Sequence, residues 1–175
     1  MTISVRLSLI LAASTLVSLA PAQAADTCDT LTVRMIRATG ASLAGRVGSR
    51  AVFRAADAER MSLDCRAPRR MVLIAREREP SRRFYELIGD AAQALTGASA
   101  EAAETLALVL QQEALATGRP QQGTTRRVAI RCETASDADP FDGLRTRCIL
   151  APLPVPHAKP VLRRRAGLFV GTAAG

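Results

Sequence analysis

Few residues in this chain are of the types that do acid–base or nucleophilic chemistry at neutral pH. The one histidine is His157 and the one lysine is Lys159, both in a proline-rich stretch near the C-terminus. A Ser-His-Asp or Cys-His device needs its base held on a rigid scaffold beside the nucleophile, and neither residue lies in a segment with the pattern of one. A zinc-binding pair of histidines is excluded by the count alone. Paired carboxylates remain: Glu77 and Glu79 flank a junction between strand and helix, where two such groups could serve as acid and base, as in glycoside hydrolysis. Arginines crowd them, so solvated ion pairs are the simpler assignment.

Two turns resemble binding loops and fall short. Asp137, Asp139 and Asp142 precede Gly143, but the position that should supply a bidentate glutamate for calcium is Cys148. Aspartate and glycine also belong in turns for backbone reasons. Gly40 and Gly45 have phosphate-loop spacing, yet Arg46 and Val47 stand where Lys and Ser or Thr are needed. The reading is therefore of no metal, no cofactor and, by elimination, no clear catalytic machinery.

The arginines offer the main chemistry. They make up all but one of the basic side chains, and the chain carries a formal net charge of +8. The guanidinium is a planar fork matched to carboxylate and phosphate. Arg66, Arg69, Arg70, Arg76, Arg78, Arg82 and Arg83 crowd the approach to the first long helix, and such a cluster suggests an anionic partner. Nucleic acid fits poorly, because four Phe and one Tyr are too few for stacking platforms.

Cys28, Cys65, Cys132 and Cys148 are an even set with none of the close spacing of structural zinc. In an exported protein they read as two disulfides. The segments around Cys132 and Cys148 look like neighbouring strands, which favours that pair and leaves Cys28 with Cys65.

Export is expected from the N-terminus. Arg6 precedes an apolar run, and Pro21-Ala22-Gln23-Ala24 ends it with an Ala-x-Ala pattern, so residues 1–24 read as a signal peptide cut after Ala24. A membrane anchor needs about 20 apolar residues, and none is expected in the mature chain. A protein of the periplasm or the medium follows.

These residues need elements to position them. Phe84, Leu87, Ile88, Ala91 and Leu95 repeat at helical spacing. Pro80 or Ser81 marks the start of that helix and Gly97 its stop. Ser99 opens a second helix and Gly118-Arg119-Pro120 closes it. Its Ala103, Leu106, Val109, Leu110 and Ala114, with Leu108 and Leu115 beside them, predict burial over a wide arc. The two form a hairpin over residues 83–117. Alternation predicts strands at Leu31–Met35, near Ala51–Arg54, through Met61–Cys65, at the doubly apolar Met71–Ala75, and at Val128–Cys132 and Leu144–Leu150, with Gly40–Gly48 as a loop. Arg127, Arg131, Arg145 and Arg147 would make the outer side of the last pair basic. Past Ala151, Pro152, Pro154, Pro156 and Pro160 space an extended tail that carries Arg163-Arg164-Arg165.

The expected fold is α+β: an antiparallel sheet of about five to six strands with the central helical hairpin on one face. The domain would span residues 25–150, with a disordered tail over 151–175. The expected function is a binding or interaction module of the cell envelope that meets an anionic protein or envelope surface. A carrier of a small apolar ligand between the helices, and a carboxylate-dependent hydrolase, are the competing classes.

Overall fold

Among the described residues, every strand pair is antiparallel. The structure, a computed structural model, describes residues 23–136 and 144–153. The order is α1 (Gln23–Thr39), β1 (Ser42–Val47), β2 (Arg50–Ala55), β3 (Ala58–Asp64), β4 (Arg70–Ala75), α2 (Arg82–Thr96), α3 (Ala100–Thr117), β5 (Gln121–Thr124), β6 (Val128–Ser136) and β7 (Leu144–Pro152). The strands form one sheet in the order β1-β2-β3-β4-β7-β6-β5. The α+β class is as expected, with seven strands where five to six were predicted.

Alternation decides which face is buried. Ala51 and Phe53, Met61 and Leu63, Met71, Leu73 and Ala75, Cys148 and Leu150, and Val128, Ile130 and Cys132 all turn inward and are buried. The helices supply Phe84, Ile88, Ala91, Leu95, Ala103, Ala107 and Leu110 to the same core. Each fully buried Leu, Ile, Met or Phe stabilises the fold by about 1.5–3 kcal/mol over leaving it exposed. The doubly apolar stretch of β4 is indeed central, at the middle of the sheet.

The hairpin keeps its predicted limits. The Gly97 N–H donates to the Gln93 carbonyl at 2.8 Å from a left-handed φ of 71°, and the Ser99 hydroxyl accepts from the Ala102 N–H at 3.3 Å. Ser81 is the first helix's cap by position, and its carbonyl accepts from the Phe84 N–H at 3.1 Å. The broad burial expected for α3 is corrected: Leu108 and Val109 are 40% and 42% exposed. Small residues explain this. A Cβ on Gly89 would lie 2.6 Å from the Ala100 carbonyl oxygen, so backbone meets backbone where the start of α3 crosses α2. The space on the β5 side of α3 is also closed, since a Cβ on Gly123 would come within 2.9 Å of Leu106 and 3.5 Å of Leu110.

Three local expectations are overturned. Leu31, Val33 and Met35 belong to α1, not to a strand. Leu31, Thr32 and Met35 are buried at helical spacing while Val33 is exposed, and the Thr32 hydroxyl donates back to the Cys28 carbonyl at 2.8 Å. The stretch Gly40–Gly48 is not all loop. Gly40 and Gly48 bound β1 at φ of 66° and 57°, and the register with β2 shifts between Leu43 and Gly45, a bulge that glycine accommodates. β5 went unpredicted because Gln-Gln-Gly-Thr carries no apolar alternation. β7 also runs on through Ala151 and Pro152, two residues assigned to the tail. The Asp137–Gly143 loop and the chain beyond Leu153 lie outside the described residues.

The disulfides join Cys28 of α1 to Cys65 after β3, and Cys132 of β6 to Cys148 of β7. The second links directly opposite residues of one ladder on its buried face, with Cα atoms 4.2 Å apart.

Candidate functional site

β4 separates the seven clustered arginines into two groups. Arg66, Arg69 and Arg70 stand at its start, and Arg76, Arg78, Arg82 and Arg83 follow its end. Six residues of strand put about 17 Å between them, so the cluster in sequence is not one patch in space. Arg66 is taken up locally: its Nε and Nη2 donate to the two Asp64 carboxylate oxygens at 3.3 and 3.0 Å, and its backbone N–H to one of them at 3.0 Å. That clamp, with a further bond from the Ser49 hydroxyl, holds the Asp64 carboxyl far below the usual range. Arg76 reaches Glu59 at 3.9 Å, and Arg82 bridges Glu86 and Glu104 at 3.1 and 3.5 Å. Arg78 offers its carbonyl to Gln111 and Thr146. Arg69 is half-buried in the β3–β4 connection, and Arg83 is exposed on the first turn of α2.

The stronger concentration of charge is on the open face of the sheet, opposite the helices. Here the alternation that turned Met61, Leu63, Met71 and Leu73 inward turns Arg60, Ser62, Asp64, Arg70, Val72 and Ile74 outward. β2 adds Arg50 and β7 adds Arg145, Arg147 and Ile149. A shallow depression of about 410 Å³ lies among them, with Val72, Ile74 and Ile149 as its aliphatic floor. Its walls carry five arginines against two carboxylates, Asp64 and Glu133. Both carboxylates are engaged, Asp64 by Arg66 and Glu133 by Arg131 and Arg147 at 3.2 and 3.5 Å. Arg145 also reaches Glu59 at 3.4 Å. Among the described residues, no carboxylate lies within ion-pair distance of Arg50, Arg60 or Arg70. A second depression, of about 680 Å³, continues from Arg70 and Ile149 toward Gln122, Thr124 and Arg131.

The side chains of this surface are mainly cationic hydrogen-bond donors. Guanidinium forks present charge-assisted donors to carboxylate or phosphate. The one hydroxyl in the first depression is Ser62, and the Asp64 carboxylate is neutralised by its clamp. Of the seven predicted residues, only Arg70 lines it. The others that do, Arg50, Arg60, Arg145 and Arg147, come from β2, β3 and β7, the last of which lies far along the chain from the other two. For Arg145 and Arg147 the alternation was a usable signal.

Glu77 and Glu79 sit elsewhere, with Asp57 and Glu59 around a depression of about 570 Å³ between the β2–β3 turn and the start of α2. The Tyr85 phenol nearby is pushed up to about 12, by burial first and then by the Glu79 charge. The carboxyl of Asp90, raised by burial and then by Glu86 and Glu104, does not line that depression. Among the described residues, no three or more His, Cys, Asp or Glu side chains are grouped to hold a metal, and no helix is long and apolar enough to cross a membrane.

Compared with protein-family models, with curated proteins and with solved structures, the chain gives no match.

Proposed function

We propose that this protein is an exported binding module whose open sheet face takes an anionic protein or envelope partner. The observation that carries the reading is the arginine-walled depression, in which Arg50, Arg60 and Arg70 point the same way as one another and lack an acidic partner among the described residues. Arg50 and Arg70 flank Asp64, whose carboxylate the Arg66 clamp already takes up, and Arg60 faces Ile74, which leaves three guanidinium groups on one face of the sheet for an outside anion. The leader-like run ending at Ala24 and the two disulfides support export, because disulfides persist in oxidising compartments.

The test uses the secreted protein with polyglutamate, polyphosphate and a neutral polymer as probes. Polyanion binding that weakens as salt rises is expected. The variant R50Q/R60Q/R70Q should lose on the order of tenfold in affinity, from about 0.5 kcal/mol for each exposed charge pair. The variant R76Q/R83Q, altered past the other end of β4, should stay close to the wild type. Equal loss in both variants would point to net charge alone and sink the assignment of this face.

A further inference from the structure

The open face is patterned and not merely basic. Strand registers align its side chains in rows that run across the sheet. One row is Val52, Ser62, Val72, Ile149, Arg131 and Gln122, each opposite the next. Two residues along the strands on one side lie Arg50, Asp64 and Arg70. Two residues on the other side lie Arg60, Ile74, Arg147 and Glu133. At ~3.3 Å per residue, these two flanking rows, each with two arginines and one carboxylate, are about 13 Å apart. Between them the middle row presents Val52, Val72 and Ile149, all half-buried, with the small Ser62 between the two valines. With strands ~4.8 Å apart, the row from β2 to β6 is about 19 Å long.

We propose that this trough seats an amphipathic acidic helix of a protein partner, lying across the strands with aliphatic residues on the middle row and carboxylates on both flanks. The inference rests on the anion-binding reading above and names its partner class. An α-helix with side chains is about 10–12 Å across, and about 13 residues span the length of the row, so width and length both match. An extended peptide fits less well. It needs backbone partners, and a sheet face, unlike an edge, offers none. A lipid surface fits less well too, because it is flat while the floor here is recessed by the depression of about 410 Å³. It would also set headgroup phosphates against Asp64 and Glu133, next to which a helix can place lysine.

The experiment measures affinity of the secreted full chain for four probes. These are a stapled helical peptide of about 14 residues with a leucine stripe flanked by glutamates, the same composition with the stripe scrambled, polyglutamate, and phosphatidylglycerol vesicles. The striped peptide is expected to bind at least tenfold tighter than the scrambled one. V72T/I149T, which keeps β-branched residues at both positions, should erase that preference and leave polyglutamate binding intact. As a check independent of the middle row, R60E should weaken the striped peptide and recover affinity when flanking glutamates are changed to lysine. Equal binding of striped and scrambled peptides overturns the helix while sparing the anion-binding reading. Vesicle binding without peptide binding overturns it in favour of a lipid surface. Failure of every anionic probe overturns both.

Discussion

The Gln111 side-chain nitrogen stands 2.8 Å from the Thr146 hydroxyl oxygen, both fully buried, and so ties α3 to the first part of β7. The same nitrogen reaches the Arg78 carbonyl at 3.1 Å and the Thr134 hydroxyl at 3.0 Å, and the Thr146 hydroxyl donates to that carbonyl at 2.8 Å. Four segments meet at one amide: the β4–α2 connection, α3, β6 and β7. An amide nitrogen has two hydrogens, so the three oxygens share them.

Gln111→Leu is expected to cost about 1–3 kcal/mol, the penalty for stranding buried polar partners, read as a lower urea midpoint. Thr146→Val should fall in the same range. The double variant should cost less than the sum of the two, because each removes the other's partner. Strict additivity would mean that the groups do not act as a network.

The two helices and β5 answer differently to an added methyl group. Alanine at a helical glycine normally gains about 1 kcal/mol, but at Gly89 the new Cβ would meet the Ala100 carbonyl oxygen at 2.6 Å. Backbone cannot step aside cheaply, so overpacking of about 1–3 kcal/mol should win and Gly89→Ala should lower the melting temperature. At Gly123 the contact, at 2.9 Å, is the flexible end of Leu106. Gly123→Ala should therefore cost less than Gly89→Ala, as thermal denaturation of both would show.

Removing either disulfide should cost about 2–4 kcal/mol, but the damage should appear in different places. Cys28→Ser with Cys65→Ser releases α1 from the end of β3, and hydrogen exchange should rise across Gln23–Thr39 while β6 and β7 stay protected. Cys132→Ala with Cys148→Ala removes a buried link already backed by a nine-pair ladder. Its effect should be a global fall in stability without selective loosening of α1.

Two aspartates give opposite pH signatures. Asp64 has its pKa lowered by the Arg66 clamp, so its stabilisation is present above the unfolded value of about 3.9 and disappears as pH falls through the lower folded value. Asp64→Asn should therefore be less stable than the wild type at pH 7, with the gap closing in strong acid. Asp90 has its pKa raised by burial and by Glu86 and Glu104. Its ionisation costs stability from the unfolded value of about 3.9 upward, in full once pH exceeds the raised folded value, so Asp90→Asn should be more stable than the wild type at pH 7, with the gain fading as pH falls through the folded value and gone below about 3.9. Denaturation across pH 2–8 checks both signs.

The helical hairpin was legible because its signals agree with one another. Its stripe, Ser99 cap and terminal glycines Gly97 and Gly118 all mark the same limits. The central position of β4 was legible from apolar residues on both its faces. The cysteine pairing was legible too, since Cys132 and Cys148 fall in register on adjacent strands. α1 was not, because Leu31, Val33 and Met35 fit period two as well as Leu31 and Met35 fit a helix, and β-branched threonines favoured the strand. Burial of Thr32 and exposure of Val33 decide it, and both depend on tertiary contacts. The candidate site was half visible. Arg145 and Arg147 announce a basic outer face, but crowding from Arg66 to Arg83 drew attention to residues that β4 holds apart, while Arg50 and Arg60 join the face only through strand registers.

The position of β7 bears on how the chain reaches its folded state. β7 is made last of the seven strands yet fills the place between β4 and β6. A chain delivered N-terminus first would offer β1 to β4 with the apolar edge of β4 unpaired until β7 arrives some 70 residues later. Such long-range closure is slow and leaves the edge open to mispairing. The sheet is therefore complete only once the chain has been made through Pro152, and the central pairing of β4 is among the last to form.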